Sequence, residues 1–253
     1  EASFSAYLPL IMNTANWQIE SSNGDNIIPI DASVFTINAS GPDAPQAFSA
    51  TVSSGSQINL SATANADGDN VLVVFNTTNT FGTPTGTYTA GDPVTGGGTV
   101  HYIGTAGSLT NHSSLNGGTQ YFYQAFSFDG ADYSSALTDN ATTLKAEPTN
   151  HVSSFTATAN GAFQIDLTWS DNDGAAAADG FLVVGKTGAG SFASVADATA
   201  GADDSDWSDN NFALNVNSGV ESANITGLNP STSYDFEIYP YSNSNTNIDF
   251  KTS

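Results

Sequence analysis

The chain has 253 residues, of which 25 are acidic and three are lysines, so its formal net charge is −22. Such a surface repels phosphate backbones and anionic lipid, which disfavours nucleic-acid and membrane-surface partners. Cysteine is absent, which excludes disulfides, thiolate metal sites and cysteine nucleophiles. No apolar run reaches the roughly 18 residues of a transmembrane helix, so we expect no membrane insertion.

Residues 1–42 contain short apolar stretches that predict three or four short strands. The most apolar stretch, residues 4–12, includes Phe4, Leu8 and Leu10. So few strands do not make a stable domain by themselves. Two explanations stay open: the segment is the tail of a preceding domain, or it supplies extra strands that pack on the first repeat. Separately, residues 4–12 are a candidate donor strand for insertion into the open sheet of another copy of the chain.

The remainder of the chain contains an internal repeat. Four segments recur in the same order with similar spacing, which indicates two domains of roughly 110 residues each. Turn residues recur between alternating apolar positions, as in all-β proteins. We therefore predict one sandwich over residues 43–145 and a second over 146–253. The matching segments are 48–51 with 155–158, 57–60 with 164–167, 71–74 with 181–184, and 114–123 with 227–236.

The last of these segments begins a strand at a tight corner. Tyr234, Phe236 and Ile238 alternate with polar residues, which predicts a strand with one buried face. A tyrosine placed just after a leucine-containing corner matches the tyrosine corner of immunoglobulin-like sandwiches, whose hydroxyl bonds back to the corner backbone. Tyr121 takes the same position in the first repeat. Trp169 stands where such sandwiches place their core tryptophan.

The first repeat has two further features. A loop-rich arm, residues 76–98, is longer than a hairpin needs, and such insertions are common binding sites, although an extended, decorated hairpin is the favoured alternative. If Tyr121 and Tyr123 face the core, the alternating residues of the same strand face outward and form an apolar patch. We expect the N-terminal segment, the second repeat or another chain to cover that patch. The candidate interface residues are therefore Phe122, Phe126 and Phe128, together with Phe4, Leu8 and Leu10.

The repeats resemble the fibronectin type III-like modules that occur in tandem in large secreted bacterial proteins. The likeness covers about residues 43–253, and it is carried by the strands at 71–75 and 181–185, by Trp169 and by the two tyrosine corners. The resemblance implies seven-stranded two-sheet sandwiches that serve as spacer, adhesive or carbohydrate-associated units without catalysis. The family has no fixed functional residues to transfer to this chain.

Two loops are rich in aspartate and suggest metal binding. Closely spaced carboxylates suit calcium, which prefers hard oxygen ligands, although neither loop follows the twelve-residue EF-hand pattern. A solvated acidic turn is the alternative interpretation. The candidate calcium ligands are Asp203, Asp204, Asp206 and Asp209 in one loop, and Asp171 and Asp173 in the other.

Glycan binding and catalysis have weaker signals. Exposed aromatic rings bind sugars, and Trp207, Tyr88 and Phe81 are the candidate ligand-binding residues, each with packing against its own loop as the alternative. No metalloprotease, nucleophile-elbow or phosphate-loop motif is present, so we expect no enzyme activity.

We therefore predict an all-β protein with two tandem fibronectin type III-like sandwiches preceded by a short N-terminal β segment. The leading hypothesis is a non-catalytic structural or adhesive protein, secreted or on the cell surface. It is a spacer or a surface-fibre subunit that assembles with copies of itself, or with neighbouring domains, by strand addition. The alternative is a carbohydrate-binding accessory module of a secreted polysaccharide-degrading enzyme.

Overall fold

The computed structural model describes residues 18–19, 28–29, 41–188 and 191–252. The chain divides into two compact units, residues 1–41 and 42–253. In the first unit, Gln18–Ile19 (β1) pairs antiparallel with Ile28–Pro29 (β2). The other strands predicted before residue 41, including the candidate donor strand, lie outside the described residues.

The first sandwich has two antiparallel sheets. The three-stranded sheet has the order β3-β4-β7, and the four-stranded sheet has the order β6-β5-β8-β9. One 3-10 turn, Ala106–Ser108, follows β6. The strands are Ala47–Val52 (β3), Gln57–Thr63 (β4), Asn70–Asn76 (β5), Thr99–Gly104 (β6), His112–Ser113 (β7), Gln120–Phe128 (β8) and Leu137–Thr142 (β9).

The second sandwich repeats this arrangement. Its sheets have the orders β10-β11-β14 and β13-β12-β15-β16, again antiparallel. The 3-10 turns Trp207–Asp209 and Asn245–Asn247 precede β13 and β16. The strands are Ser153–Ala159 (β10), Gln164–Ser170 (β11), Gly180–Thr187 (β12), Asn211–Asn217 (β13), Ser222–Thr226 (β14), Tyr234–Ser242 (β15) and Asp249–Phe250 (β16).

Each sandwich encloses one core between its two sheets. Alternate residues of β8, Tyr121 and Tyr123, are buried against β3 and β4, as the two-residue period predicts. In the second core, Trp169 of β11 is 3% exposed and packs edge-on against Phe181 of β12. Burial of these large rings removes apolar surface from water, which is the main stabilising contribution to each sandwich.

Both tyrosine corners are formed. The backbone nitrogen of Asn116 donates to the Tyr121 hydroxyl over 3.0 Å, and that of Asn229 donates to the Tyr234 hydroxyl over 2.8 Å. Each bond ties the turn before the strand to the strand itself. The repeat identified in the sequence is therefore also a repeat of hydrogen-bonding geometry.

The central strands β5 and β12 are covered on both faces. In β5, Val71 and Val73 enter the main core, whereas Leu72 and Val74 enter a second apolar cluster on the outer side of the sheet. A continuous apolar run is what a strand needs when neither face meets water. The loop that follows β5, residues 77–98, folds back to form this outer layer. In the second sandwich, Leu182 of β12 enters a similar outer cluster, which contains Val195 of the following loop together with Ile248 and Phe250.

Candidate functional site

The outer apolar patch of the first sandwich is covered by the chain's own loop. Phe126 is 6% exposed and packs with Val94, Phe81 and Tyr88, all of which belong to residues 77–98. The expectation that the N-terminal segment, the second repeat or another chain covers this patch is wrong for Phe126. The arm is long because it forms a third layer over the sheet. Its glycines permit the close approach, since a Cβ on Gly98 would lie 2.5 Å from Val74 Cγ1.

The other candidate interface residues differ in their surroundings. Phe122 is half-buried, and Phe128 stacks on Tyr133 with ring centroids 4.5 Å apart. This face of β8 therefore exposes much less apolar surface to solvent than the alternating sequence predicts. Phe4, Leu8 and Leu10 lie outside the described residues.

The two aromatic residues proposed for glycan binding on this arm are both half-buried. Phe81 packs into the outer cluster, and the Tyr88 ring meets Tyr133 edge-on with centroids 6.2 Å apart. The Tyr88 hydroxyl also accepts a hydrogen bond from the Thr85 backbone over 3.3 Å. Both residues are therefore packed within the fold, which matches the alternative to glycan binding.

Trp207, the third candidate, extends the core of the second sandwich. Its ring stacks on Phe212 with centroids 5.1 Å apart and planes 10° apart, and it meets Tyr234 edge-on at 4.8 Å. Gly185 of β12 leaves room for the ring, because a Cβ there would lie 2.8 Å from Trp207 Cη2. One face of the indole is therefore packed inside the fold. This matches the alternative interpretation, in which Trp207 packs against its own domain and does not bind a glycan.

The acidic loop around Trp207 uses its carboxylates in local hydrogen bonds. Each of the four aspartates accepts from a backbone nitrogen of the same loop or of β13, as short polar side chains commonly do in turns. Within the described ranges, no three histidine, aspartate or glutamate side chains are grouped as metal ligands. Calcium binding by this loop stays a prediction. The bonds join Asp203, Asp204, Asp206 and Asp209 to the nitrogens of Asn215, Asp206, Ser208 and Asn211, over 2.6 to 2.9 Å.

A third carboxylate, that of Glu221, lies beside the second acidic loop. The Asp171 backbone nitrogen donates to Glu221 Oε1 over 2.7 Å. Burial raises the pKa of Asp171, and the negative charges of Asp173 and Glu221 raise it further. Glu221 precedes β14, so sequence spacing gives no sign of its proximity. Calcium binding here also stays a prediction.

His101 and His112 lie together in the first sandwich. The rings of His101 and His112 have centroids 4.5 Å apart, and Phe75 packs edge-on against both. His101 Nε2 donates to the Thr110 carbonyl over 2.9 Å, and His112 Nδ1 lies 3.1 Å from the Tyr123 hydroxyl. The two rings are hydrogen-bonded and packed, so this cluster is a structural element of the core edge.

Burial keeps both imidazoles neutral. It lowers the pKa of His101, and burial together with the neighbouring His101 lowers the pKa of His112 to about 4. A charged imidazole would lose hydration in this position, which is the physical reason for both changes. The pair therefore makes the first sandwich sensitive to acid.

Two solved structures are similar to this chain at low sequence identity. No family model matches the chain, and no curated protein matches it. A two-domain fibronectin type III segment of chicken tenascin is similar at 12% identity and a TM-score of 0.35, over 82% of this chain and 95% of that one. Domains FN1–FN3 of chicken CNTN1 are similar at 13% identity and a TM-score of 0.42, over 83% of this chain and 62% of that one.

Because both TM-scores are below 0.5, the assignment of the fold depends on the strand order. A three-stranded sheet facing a four-stranded sheet, with a tyrosine corner before the sixth strand, occurs in both halves. No helix in the described part of the chain is long and apolar enough to cross a membrane. By this strand order, residues 42–188 and 191–252 form two tandem fibronectin type III-like β-sandwiches.

Proposed function

We propose that the chain is a non-catalytic extracellular structural or adhesive protein, a rigid pair of sandwiches that serves as a spacer or as the subunit of a surface fibre. The observation that supports this role is the connection between the two sandwiches. A spacer must hold its two domains in a fixed relative orientation, and a flexible linker does not do this. The high negative charge fits an environment rich in salt or cations, where self-repulsion is screened.

In the linker, the last residue hydrogen-bonded to the first sandwich is directly followed by one hydrogen-bonded to the second. Leu144 belongs to the first sandwich: its nitrogen donates to the Ser54 carbonyl over 3.2 Å, and its carbonyl accepts from Gly118 over 3.1 Å. The next residue, Lys145, belongs to the second sandwich. Its nitrogen donates to Asn243 Oδ1 over 2.8 Å, and its carbonyl accepts from Asn243 Nδ2 over 2.9 Å. Adjacent residues are therefore held by different domains.

An ion pair strengthens this attachment. The Lys145 ammonium pairs with the Asp179 carboxylate, which also accepts from the Asn243 nitrogen over 2.8 Å. Two residues further along, Glu147 pairs with Lys251 over 3.2 Å. Two of the three lysines of this acidic chain are thus placed where they hold the linker against the second sandwich.

The experiment that tests this role is a distance measurement between spin labels on the two sandwiches. Because the chain lacks cysteine, single cysteines at the exposed positions Asn59 and Asn224 label it cleanly. We expect one narrow distance distribution in the full chain. Asn243→Gly removes both amide bonds to Lys145 while keeping the left-handed backbone, where φ is 61°, and should broaden the distribution.

Asn245→Gly is the matched control. It also has a left-handed backbone, with φ of 53°, but its amide makes no bond to the linker. This variant should leave the distribution narrow. A broad distribution in the unmodified chain would contradict the spacer role.

A further inference from the structure

The four-stranded sheet of the first sandwich is covered over only part of its outer face. Residues 77–98 cover Phe126 at one end of β8. Phe122 lies on the same face of β8, is half-buried, and within the described ranges belongs to no apolar cluster. Its direct neighbours across the sheet are Asn76 of β5 and Asn140 of β9. One aromatic ring therefore stands between two amide side chains on a partly exposed surface.

The surface around Phe122, which we call the amide face, carries amides and hydroxyls and, among the described residues, no charged side chain. Gln120 Nε2 donates to Asn140 Oδ1 over 2.9 Å, which holds these two amides in place. The acidic residue of β9, Asp139, lies on the other side of the sheet, where its Oδ2 accepts from the Ala50 nitrogen over 2.8 Å. Strand spacing and rise make the amide face about 10 Å wide across three strands and about 14 Å long. Besides Phe122, it consists of Asn76, Gln120, Gln124, Thr138, Asn140 and Thr142.

The second sandwich has no such face. Asp235 of β15 occupies the repeat position of Phe122, and an ion pair joins it to Lys186 of the neighbouring strand at 3.8 Å. Glu237 occupies the repeat position of Gln124. The same strand thus forms with a charged outer surface, so the fold itself requires neither the ring nor the amides. The amide face is a property of the first sandwich alone.

We propose that the amide face binds a neutral glycan, with one sugar ring lying on Phe122. A pyranose ring presents C–H groups on its faces and hydroxyls around its edge. The C–H groups pack on an aromatic ring, because the face of that ring is electron-rich. The hydroxyls pair with amide side chains, which both donate and accept. The bond from Gln120 occupies the Asn140 oxygen and leaves both Asn140 Nδ2 hydrogens for the ligand, since no acceptor among the described residues is bonded to them.

Charge selects this class of ligand over others. The net charge of −22 disfavours sulfated and uronic polymers and nucleic acid, whereas a neutral chain meets no such repulsion. A protein partner fits less well, because the centre of a protein interface is apolar and rich in aromatic residues, and here a single half-buried ring lies among polar side chains. A glycan on this face is the ligand of the adhesive form of the function proposed above, on which this assignment rests.

Affinity electrophoresis tests the assignment in native gels that contain soluble starch, xyloglucan, galactomannan or mixed-linkage β-glucan. We expect at least one of these neutral polysaccharides to retard the unmodified chain, and the anionic polygalacturonate not to. Phe122→Leu keeps an apolar side chain but removes the flat ring, so it should weaken binding by about tenfold. Phe122→Tyr keeps the ring and should bind as the unmodified chain does. Asn140→Ala removes the amide donors and should also weaken binding.

Phe163→Leu is the matched control, because Phe163 is 62% exposed and lies outside the amide face. This variant should bind as the unmodified chain does, and hydrogen exchange in β8 should show that Phe122→Leu stays folded. Retardation by none of the four neutral polysaccharides, retardation by polygalacturonate alone, full binding by Phe122→Leu, or loss of binding in Phe163→Leu would each overturn the proposal. The spin-label distances report the spacer role separately, because they are measured without polysaccharide and with labels on the three-stranded sheets.

Discussion

Acid should selectively weaken the first sandwich, because His112 is held there as a neutral ring. The side chain is 9% exposed and packed between His101, Phe75 and the Tyr123 hydroxyl. Burial, followed by the effect of His101, lowers its pKa from 6.5 to about 4. At pH 7 the ring is neutral in the folded state and mostly neutral in the unfolded state, so it contributes little pH dependence there.

The sign and size of the effect follow from linkage. As the pH falls below 6.5, the unfolded chain binds a proton at His112 before the folded chain does. Stability is therefore lost between about pH 6.5 and pH 4, and the loss levels off below that range. The two pKa values differ by about 2.5, and each unit corresponds to about 1.36 kcal/mol, so the full loss is about 3.4 kcal/mol, of which about 3 kcal/mol is reached at pH 4.

Urea unfolding at pH 7, 5 and 4 measures this loss. Trp169 and Trp207 both belong to the second sandwich, so their fluorescence in a Trp17→Phe background reports that domain, while hydrogen exchange in β6 and β8 reports the first. His112→Phe removes this titration, and the packing cost of the substitution is the same at all three pH values. The free energies of unfolding of the two proteins should therefore converge by about 3 kcal/mol towards pH 4. Parallel pH profiles would refute the reasoning, because titrating carboxylates are common to both proteins.

Two further predictions concern local geometry. Tyr121→Phe and Tyr234→Phe each remove one corner bond, and each should lower the free energy of unfolding of its own sandwich by about 1 kcal/mol, measured by urea titration; an effect on the other sandwich instead would contradict the assignment. Gly98→Ala should cost about 2 kcal/mol or more, because φ is +96° and the new Cβ would meet Val74. Gly86→Ala, with φ of +78° and open space around it, isolates the backbone contribution and should cost less.

The features that the sequence predicts correctly depend on local periodicity. Alternation in β8 and β15 places Tyr121, Tyr123 and Ile238 in the cores, and both corners follow from a leucine, a turn and a tyrosine at fixed spacing. Such patterns depend on neighbours within a few residues, which the sequence contains directly. They predict the fold class and the repeat without any knowledge of distant contacts.

The features that the sequence does not predict depend on distant contacts. Residues 77–98 cover Phe126 although no local pattern connects them, and the sign that was present is the uninterrupted run at residues 71–75, which indicates a strand covered on both faces. His101 and His112 meet because β6 and β7 belong to facing sheets of one sandwich. The aspartates near Trp207 look like a metal site in sequence, but their spacing also suits the turns in which they accept backbone bonds.

The comparison of the two repeats explains Trp207 and gives a last prediction. Phe75 of the first repeat corresponds to Gly185 of the second, and Phe75 fills the edge of the first core. The second sandwich lacks that ring, and Trp207 enters from the following loop to occupy the space above Gly185. The indole thus replaces a core side chain that the strand itself no longer supplies.

Trp207→Ala should therefore act on stability. Removal of a large ring from a packed site costs about 3 kcal/mol, so the second sandwich should unfold at lower urea, as followed by Trp169 fluorescence in the Trp17→Phe background. A carbohydrate-binding role predicts the opposite pattern: unchanged stability and loss of saturable binding to a neutral glycan. Phe163→Ala, which shortens an exposed ring in the same sandwich, is the control and should change stability little. If Trp207→Ala is as stable as the unmodified chain, the packing argument fails and the glycan hypothesis becomes the better explanation of this residue.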